Sequence, residues 1–237
     1  MNYLDYARLD TLDGAAFRNQ KPYPWITPEG ALTDDAYRTL RDNLPDVSLF
    51  DGYFGVARAH GQQSHDRYVL EYRDGLDLPA PWQAFVDELR GSCYRDFLRR
   101  LFGVRSLYLN FHWHYTPNGC SVSPHCDAKH KLGSQIFYLN TEDDWDPAWG
   151  GETLILDDRG RFGRRSAPAF EDFDQVLPSQ ALGNRSLIFM QTGNSWHGVR
   201  PIQCPEGELR KVFIVVVNRA GPIARVKRFP VSYTHLT

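Results

Sequence analysis

From residue 105 onward the chain is built of short apolar runs: "SLYLNFHWHY", "SQIFYLN", "GETLILD", "NRSLIFM" and "KVFIVVVN". They are rich in β-branched and aromatic residues, and Gly, Pro, Asn or Asp punctuates the gaps, which is the pattern of strands joined by turns. Short strands with no helix between them can bury their apolar faces only against other strands. This half of the chain is therefore restricted to a β-sandwich or barrel.

Residues 1–104 have a different texture. "TDDAYRTLRDNL" opens with Thr33 and two aspartates, a helix start, and must stop before Pro45. "PWQAFVDELRGSCYRDFLRRLF" repeats apolar residues at helical spacing: Trp82, Phe85, Val86 and Leu89, then Tyr94, Phe97, Leu98 and Leu101. Between these helices, "YFGVARA" and "RYVLEYR" are strand candidates. The expected fold is mainly β with flanking helices, in one unit. An N-terminal helix-rich support region (1–104) packs on the outer face of a β core (105–222), and a tail (223–237) follows. The tail's "VSYTHLT" has two readings, a short natural end or a translated sequencing adapter, so His235 enters no functional argument. Residues 157–182, running from basic "RGRFGRR" to acidic "FEDFD", read as one long loop, either a solvated face or a lid.

Composition excludes several classes. A chain of 237 residues, 42% of them hydrophobic, can bury a sizeable core. A net charge of −2 with no Lys/Arg block leaves no electrostatic footprint for nucleic acid. No uncharged apolar stretch approaches the roughly 18 residues of a membrane span. The start, "MNYLDYARLD", lacks the apolar run of a signal peptide. Cys93, Cys120, Cys126 and Cys204 form no CxxC pair, and reduced thiols in a cytoplasmic protein are the expectation.

Four of the eight histidines crowd into "HWHYTPNGCSVSPHCDAKH", residues 112–130. Strand side chains alternate faces, so His125 and Asp127 share one and Cys126 takes the other. An imidazole and a carboxylate two residues apart can reach one ion. The pair is a weak signal by itself, since chance produces roughly one His-x-Asp in a chain of this composition. His112 and His114 form a competing same-face pair that suits zinc or copper. Downstream, "NRSLIFMQTGNSWHGVRPI" presents His197 after a turn, and "GELRKVFIVVVN" opens a strand with Arg210. Two histidines and a carboxylate on one face make the triad of non-haem Fe(II) oxygenases. An arginine nearby can grip a carboxylate with two parallel hydrogen bonds.

From about 108 to 218, half of the chain, the sequence resembles the Fe(II)/2-oxoglutarate-dependent dioxygenases, particularly their prolyl 4-hydroxylase-like branch. "YTPNGCSVSPHCD" resembles the family's Tyr-Pro stretch leading to its first iron histidine, with Tyr115 ten residues ahead of His125. "IFYLNTEDDWDPAWGGETLIL" resembles its Tyr-Leu-Asn run followed by Trp and Gly-Gly. "HGVRPI" with "LRKVFIVVV" resembles its final histidine and strand-opening arginine, although Arg210 lies thirteen residues past His197, more than usual, which leaves Arg200 as a lesser candidate.

The resemblance implies a double-stranded β-helix of jelly-roll or cupin-like form. It implies Fe(II) on His125, Asp127 and His197, with 2-oxoglutarate held by Arg210, Tyr138 and Tyr115, O2 as oxidant and ascorbate as reductant. The implied reaction hydroxylates an unactivated C–H and releases succinate and CO2. Its substrate is prolyl, another amino acid or a small metabolite, with no nucleic-acid or membrane partner and no indication of oligomeric state. An inward Tyr115 would bring Trp113, Phe111 and Leu109 inward and turn His112 and His114 outward beneath the helices. An inward Tyr138 turns Phe137 outward, and an inward Arg210 takes Val212, Ile214 and Val216 with it. His130 belongs to a solvated loop. Gln191 is a candidate to support the ligands, Asn194 a turn residue, and Trp145 and Trp149 either wall the pocket or staple their loop. A cupin-like metal protein without oxygenase chemistry is the competing reading, and it has no use for Arg210 with Tyr138.

Overall fold

The computed structural model describes residues 2–220; the expected tail lies outside them. Among the described residues there are five α-helices: α1 (Tyr6–Asp10), α2 (Gly14–Asn19), α3 (Asp34–Asp42), α4 (Ala80–Arg90) and α5 (Ser92–Phe102). The α3 start is the expected one, since the Thr33 side chain accepts from Ala36 N and two aspartates follow. The long apolar stretch after Pro79 makes two helices rather than one. Gly91 breaks it, because there the backbone turns extended and a Cβ would stand 2.9 Å from the Glu88 carbonyl oxygen.

The strands are β1 (Trp25–Ile26), β2 (Asp51–Tyr53), β3 (Arg67–Glu71), β4 (Leu107–Pro117), β5 (Val122–His125) and β6 (Lys131–Tyr138). They continue as β7 (Leu154–Asp157), β8 (Gln175–Pro178), β9 (Ser186–Met190), β10 (Trp196–Val199) and β11 (Leu209–Arg219). A seven-stranded sheet runs β1-β9-β6-β11-β4-β3-β2 and faces a four-stranded one, β5-β10-β7-β8. Every pairing is antiparallel. Two facing antiparallel sheets of this order form the expected double-stranded β-helix. Central β11 is apolar almost throughout because it is covered on both faces.

Three expectations change. The N-terminal region contributes β1, β2 and β3 to both edges of the large sheet, so it completes the sheet as well as covering it. "YFGVARA" is strand only at Tyr53; the chain then leaves the sheet until Arg67. The supposed loop 157–182 contains β8, which pairs with β7 along Leu154–Asp157.

The larger correction concerns the faces of β4. Antiparallel partners share a face, and β11 pairs Arg210 with Thr116, Val212 with His114 and Ile214 with His112. An inward Arg210 therefore requires inward His112 and His114, and outward Tyr115. That is what is seen. Phe111, Trp113 and Tyr115 belong to the core between sheet and helices, where the Trp113 ring lies 5.2 Å from Trp82 and 4.8 Å from Phe213. Tyr115 donates to the Pro45 carbonyl at 3.2 Å. The inner face, by contrast, borders a cavity of about 870 Å³ between the sheets. No helix among the described residues is long and apolar enough to cross a membrane.

Candidate metal centre and co-substrate pocket

The small sheet brings the ligand set together. β10 lies between β5 and β7 and pairs His197 directly with His125, so both imidazoles face the cavity, ring centroids 4.3 Å apart. Asp127 follows β5 on the same side, as the alternation predicts. The ligand atoms of His125, Asp127 and His197 all lie within 4.8 Å of one another, within reach of a single ion.

Neighbouring groups set the ligands' orientation. His125 Nδ1 donates to the Ser123 carbonyl at 2.9 Å and His197 Nδ1 to that of Ser195 at 3.0 Å. A carbonyl oxygen only accepts, so Nδ1 carries the proton in both rings and each Nε2 lone pair is free for a metal. Burial, ahead of the neighbouring charges, pushes both imidazole pKa values down and favours this neutral form. At Asp127 burial works against the charge, but Lys131, His197 and His125 outweigh it and hold the carboxyl below its usual range. Lys131 Nζ sits 2.7 Å from Oδ1, leaving the second oxygen to an ion. Gln191 Nε2 (3.3 Å) and the Arg164 guanidinium both donate to the Asp127 carbonyl. Asn194 serves the turn before β10, accepting from Thr192 Oγ1 at 3.1 Å and from Trp196 N at 2.9 Å.

Cys126 points away into an apolar cluster with Leu154, Leu156 and Trp196, and burial pushes its thiol up to about 12. Its sulfur lies on the opposite side of the strand from His125 and Asp127, so it is not placed to share an ion with them. His130 is exposed at the loop before β6, as expected.

Across the cavity Arg210 opens β11. It is 6% exposed, its Nε donates to the Gly151 carbonyl and its Nη2 to Thr153 Oγ1 at 3.3 Å, and its guanidinium carbon lies 5.6 Å from the centre of the Tyr138 ring. It forms no ion pair among the described residues. Burial lowers its pKa, against the opposing effects of Tyr138 and Glu152. The Gly150-Gly151 pair explains itself here. Both have positive φ, and a Cβ on Gly151 would meet Arg210 Cδ at 3.2 Å, so only glycine lets the carbonyl approach the guanidinium. Tyr138 hydroxyl is joined to Thr153 Oγ1 (2.9 Å) and Ser179 Oγ (2.7 Å). Its neighbour Phe137 faces the helices, as alternation requires.

Arg200 is removed as a competitor, since it pairs with Glu171 at 2.6 Å and lies over Phe170. Trp145 and Trp149 staple their loop: Trp145 Nε1 donates to the Gly150 carbonyl, and both rings pack with Val199, Ile202 and Cys204. Arg161 is tied down by Asp172 and Asp174.

Sequence reasoning missed His65, Arg58 and Arg67. The His65 ring lies 4.4 Å from that of His125, Arg58 Nη1 is 2.7 Å from His65 Nδ1, and Arg67 Nη1 donates to the His65 carbonyl at 2.7 Å. The segment reaches the site through an isolated bridge from His65 to Val122 and a hydrogen bond from Gln62 Nε2 to the Ser166 carbonyl at 3.0 Å. A charged residue opening the candidate strand "RYVLEYR" was the available signal; the strand's neighbour was not.

Two facing sheets enclosing a two-histidine, one-carboxylate set and a buried arginine define a metal-dependent oxygenase of the double-stranded β-helix class. Residues 110–216, somewhat under half of the chain, match the sequence profile of the 2OG-Fe(II) oxygenase superfamily. No curated protein matches it. Among solved structures it is similar to a Pseudomonas putida prolyl-4-hydroxylase, at 15% identity, TM-score 0.59, covering 87% of this chain and 98% of that one. A Trichoplax adhaerens prolyl hydroxylase in complex with a hypoxia inducible factor peptide fragment superposes with TM-score 0.62 at 14% identity, covering 90% of each chain. EvdO2 from Micromonospora carbonacea var. aurantiaca gives TM-score 0.54 at 14% identity, over 89% of this chain and 93% of that one. The fold, the His/Asp/His cluster and the profile match together support a 2OG-Fe(II) oxygenase.

Proposed function

We propose that the protein hydroxylates an unactivated C–H of an amino-acid, prolyl or small-metabolite substrate, with His125, Asp127 and His197 as iron ligands and Arg210 and Tyr138 holding 2-oxoglutarate. Bound Fe(II), with 2-oxoglutarate and O2, supplies the oxidising chemistry in which the keto acid leaves as succinate and CO2 and the substrate gains a hydroxyl group. The chain's own groups supply everything else. Ser123 and Ser195 carbonyls aim the two Nε2 atoms inward. Lys131 keeps Asp127 ionised. Arg210 and Tyr138 stand ready for the distal carboxylate, and Ile136, Val212, Ile214 and Phe189 wall the space between from water. Tyr115, expected beside them, faces the helices and has no part in this scheme.

The observation that carries this reading is Arg210. A buried guanidinium without a carboxylate partner costs several kcal/mol unless a ligand brings one, and a metal-storage protein gains nothing from such a group. Four free cysteines accord with the reducing cytoplasm as the place of work.

Anaerobic titration of Fe(II) and 2-oxoglutarate into apo-protein is the direct test. A weak visible charge-transfer band that needs both additions and vanishes in Asp127→Ala is the expected outcome. Tight zinc binding without that band would return the chain to the metal-protein reading.

A further inference from the structure

Two of the three ligands are held by strand pairing and the third is not. His125 closes β5, His197 lies in β10, and the two residues pair directly in the small sheet. Asp127 follows the end of β5 in a stretch with no helix or strand. Its carbonyl oxygen accepts from two side chains carried in from far along the chain, Gln191 Nε2 at 3.3 Å and the Arg164 guanidinium. Groups that orient a ligand from behind govern metal affinity alongside the ligand itself.

Arg164 is committed to that contact. It forms no ion pair among the described residues, and its Nε is buried without a hydrogen-bond partner there. Burial, Lys131, His197 and His125 set the charge of the Asp127 carboxyl, so what Arg164 adds is a hold on the main chain. The arginine comes from residues 158–169, which have no helix or strand and leave Arg159, Arg161 and Arg165 exposed. Two further contacts seat this segment beside the site. The Phe162 ring packs 5.6 Å from Phe173 and 6.3 Å from Trp196, the neighbour of His197, and Gln62 Nε2 donates to the Ser166 carbonyl at 3.0 Å.

We infer that Arg164 is a positioning residue for the metal: it holds the Asp127 main chain where the carboxylate meets the ion, and so couples occupancy of the metal site to the seating of residues 158–169. This rests on the oxygenase reading only through the ligand set His125, Asp127 and His197. A hydrogen bond from a charged donor is among the stronger ones, and a loop without a strand ladder has few others to keep it in place. The coupling is reciprocal. If the seated segment raises metal affinity, the bound metal stabilises the seated segment by the same factor.

Two measurements on the full chain test this, and neither needs turnover. In the first, Mn(II), and Fe(II) under argon, are titrated in competition with a chelating indicator. Arg164→Gln should weaken both ions about ten- to a hundred-fold, and Arg164→Lys, which keeps a charged donor, should recover part of the loss. Arg161→Gln, in the same segment but tied to Asp172 and Asp174, should bind as the wild type does. In the second, trypsin is offered the exposed Arg159, Arg161 and Arg165 with and without saturating Mn(II). Metal should slow cleavage of the wild type there by about tenfold or more, and should make little difference to Arg164→Gln. The inference is overturned if Arg164→Gln keeps the wild-type affinity, if Arg161→Gln loses as much, or if metal slows all tryptic sites alike. Should Arg164→Gln fail to fold, the wild-type cleavage pattern decides by itself. A wild type that binds neither ion removes the metal centre and with it the oxygenase reading, whereas normal binding that ignores Arg164 removes only this inference.

Discussion

The two faces of the large sheet are made by the same strands and have opposite characters. Toward the helices, Phe111, Trp113 and Tyr115 of β4 join Phe213, Trp82 and Phe85 in a dry, aromatic core. Toward the small sheet, the alternate residues His112 and His114 join Arg67 and Arg210 around open volume. One face stabilises the protein by burying rings, while the other keeps charges out of water for a ligand to complete. A one-residue change of register would exchange the two.

The comparison can be broken first on the packed face. Trp113→Ala should cost about 3–5 kcal/mol, read as a lowered midpoint in denaturant unfolding. His114→Ala, its neighbour on the other face, should cost much less because it already borders empty space. Equal losses would mean that the inner face is packed as tightly as the outer.

Arg210→Ala should raise the KM for 2-oxoglutarate at least about tenfold, since a buried ion-pair partner is worth some 2 kcal/mol or more, while the ligand-free protein should lose no stability, because an unpaired buried charge is removed. An unchanged KM removes the residue from the scheme.

The finest test sets two tyrosines against each other. Tyr115→Phe loses only the hydrogen bond to the Pro45 carbonyl, about 1 kcal/mol of stability, and should leave the KM for 2-oxoglutarate alone. Tyr138→Phe should raise that KM a few-fold. The reverse result would place Tyr115 at the co-substrate after all.

Much of this was legible in the amino-acid order. Strands β4, β6, β7, β9 and β11 follow from composition and punctuation, α3 from Thr33 and Asp34, and the shared face of His125 and Asp127 from a period of two, whereas β8 was hidden in what reads as a loop. Arg210, Tyr138 and His197 followed from motif resemblance, and the alternation that turns Phe137 and Cys126 away held in each case. These are local or short-range facts, and local sterics enforce them wherever the chain is extended.

Alternation says which residues share a face but never which face is inside. That depends on the strand alongside. The inward side of β4 is decided by β11, almost a hundred residues later, through the pairing of Arg210 with Thr116. For the same reason His65, Arg58 and Arg67 could not be placed from their own neighbourhood. A bridge from His65 to Val122 carries that segment to His125. The sequence by itself determined the strands, the ligand types and their spacing, because these reside in backbone geometry and side-chain chemistry. Only the tertiary structure decided which histidines meet the cavity and how much positive charge surrounds it, because both are set by pairing between segments far apart in the chain.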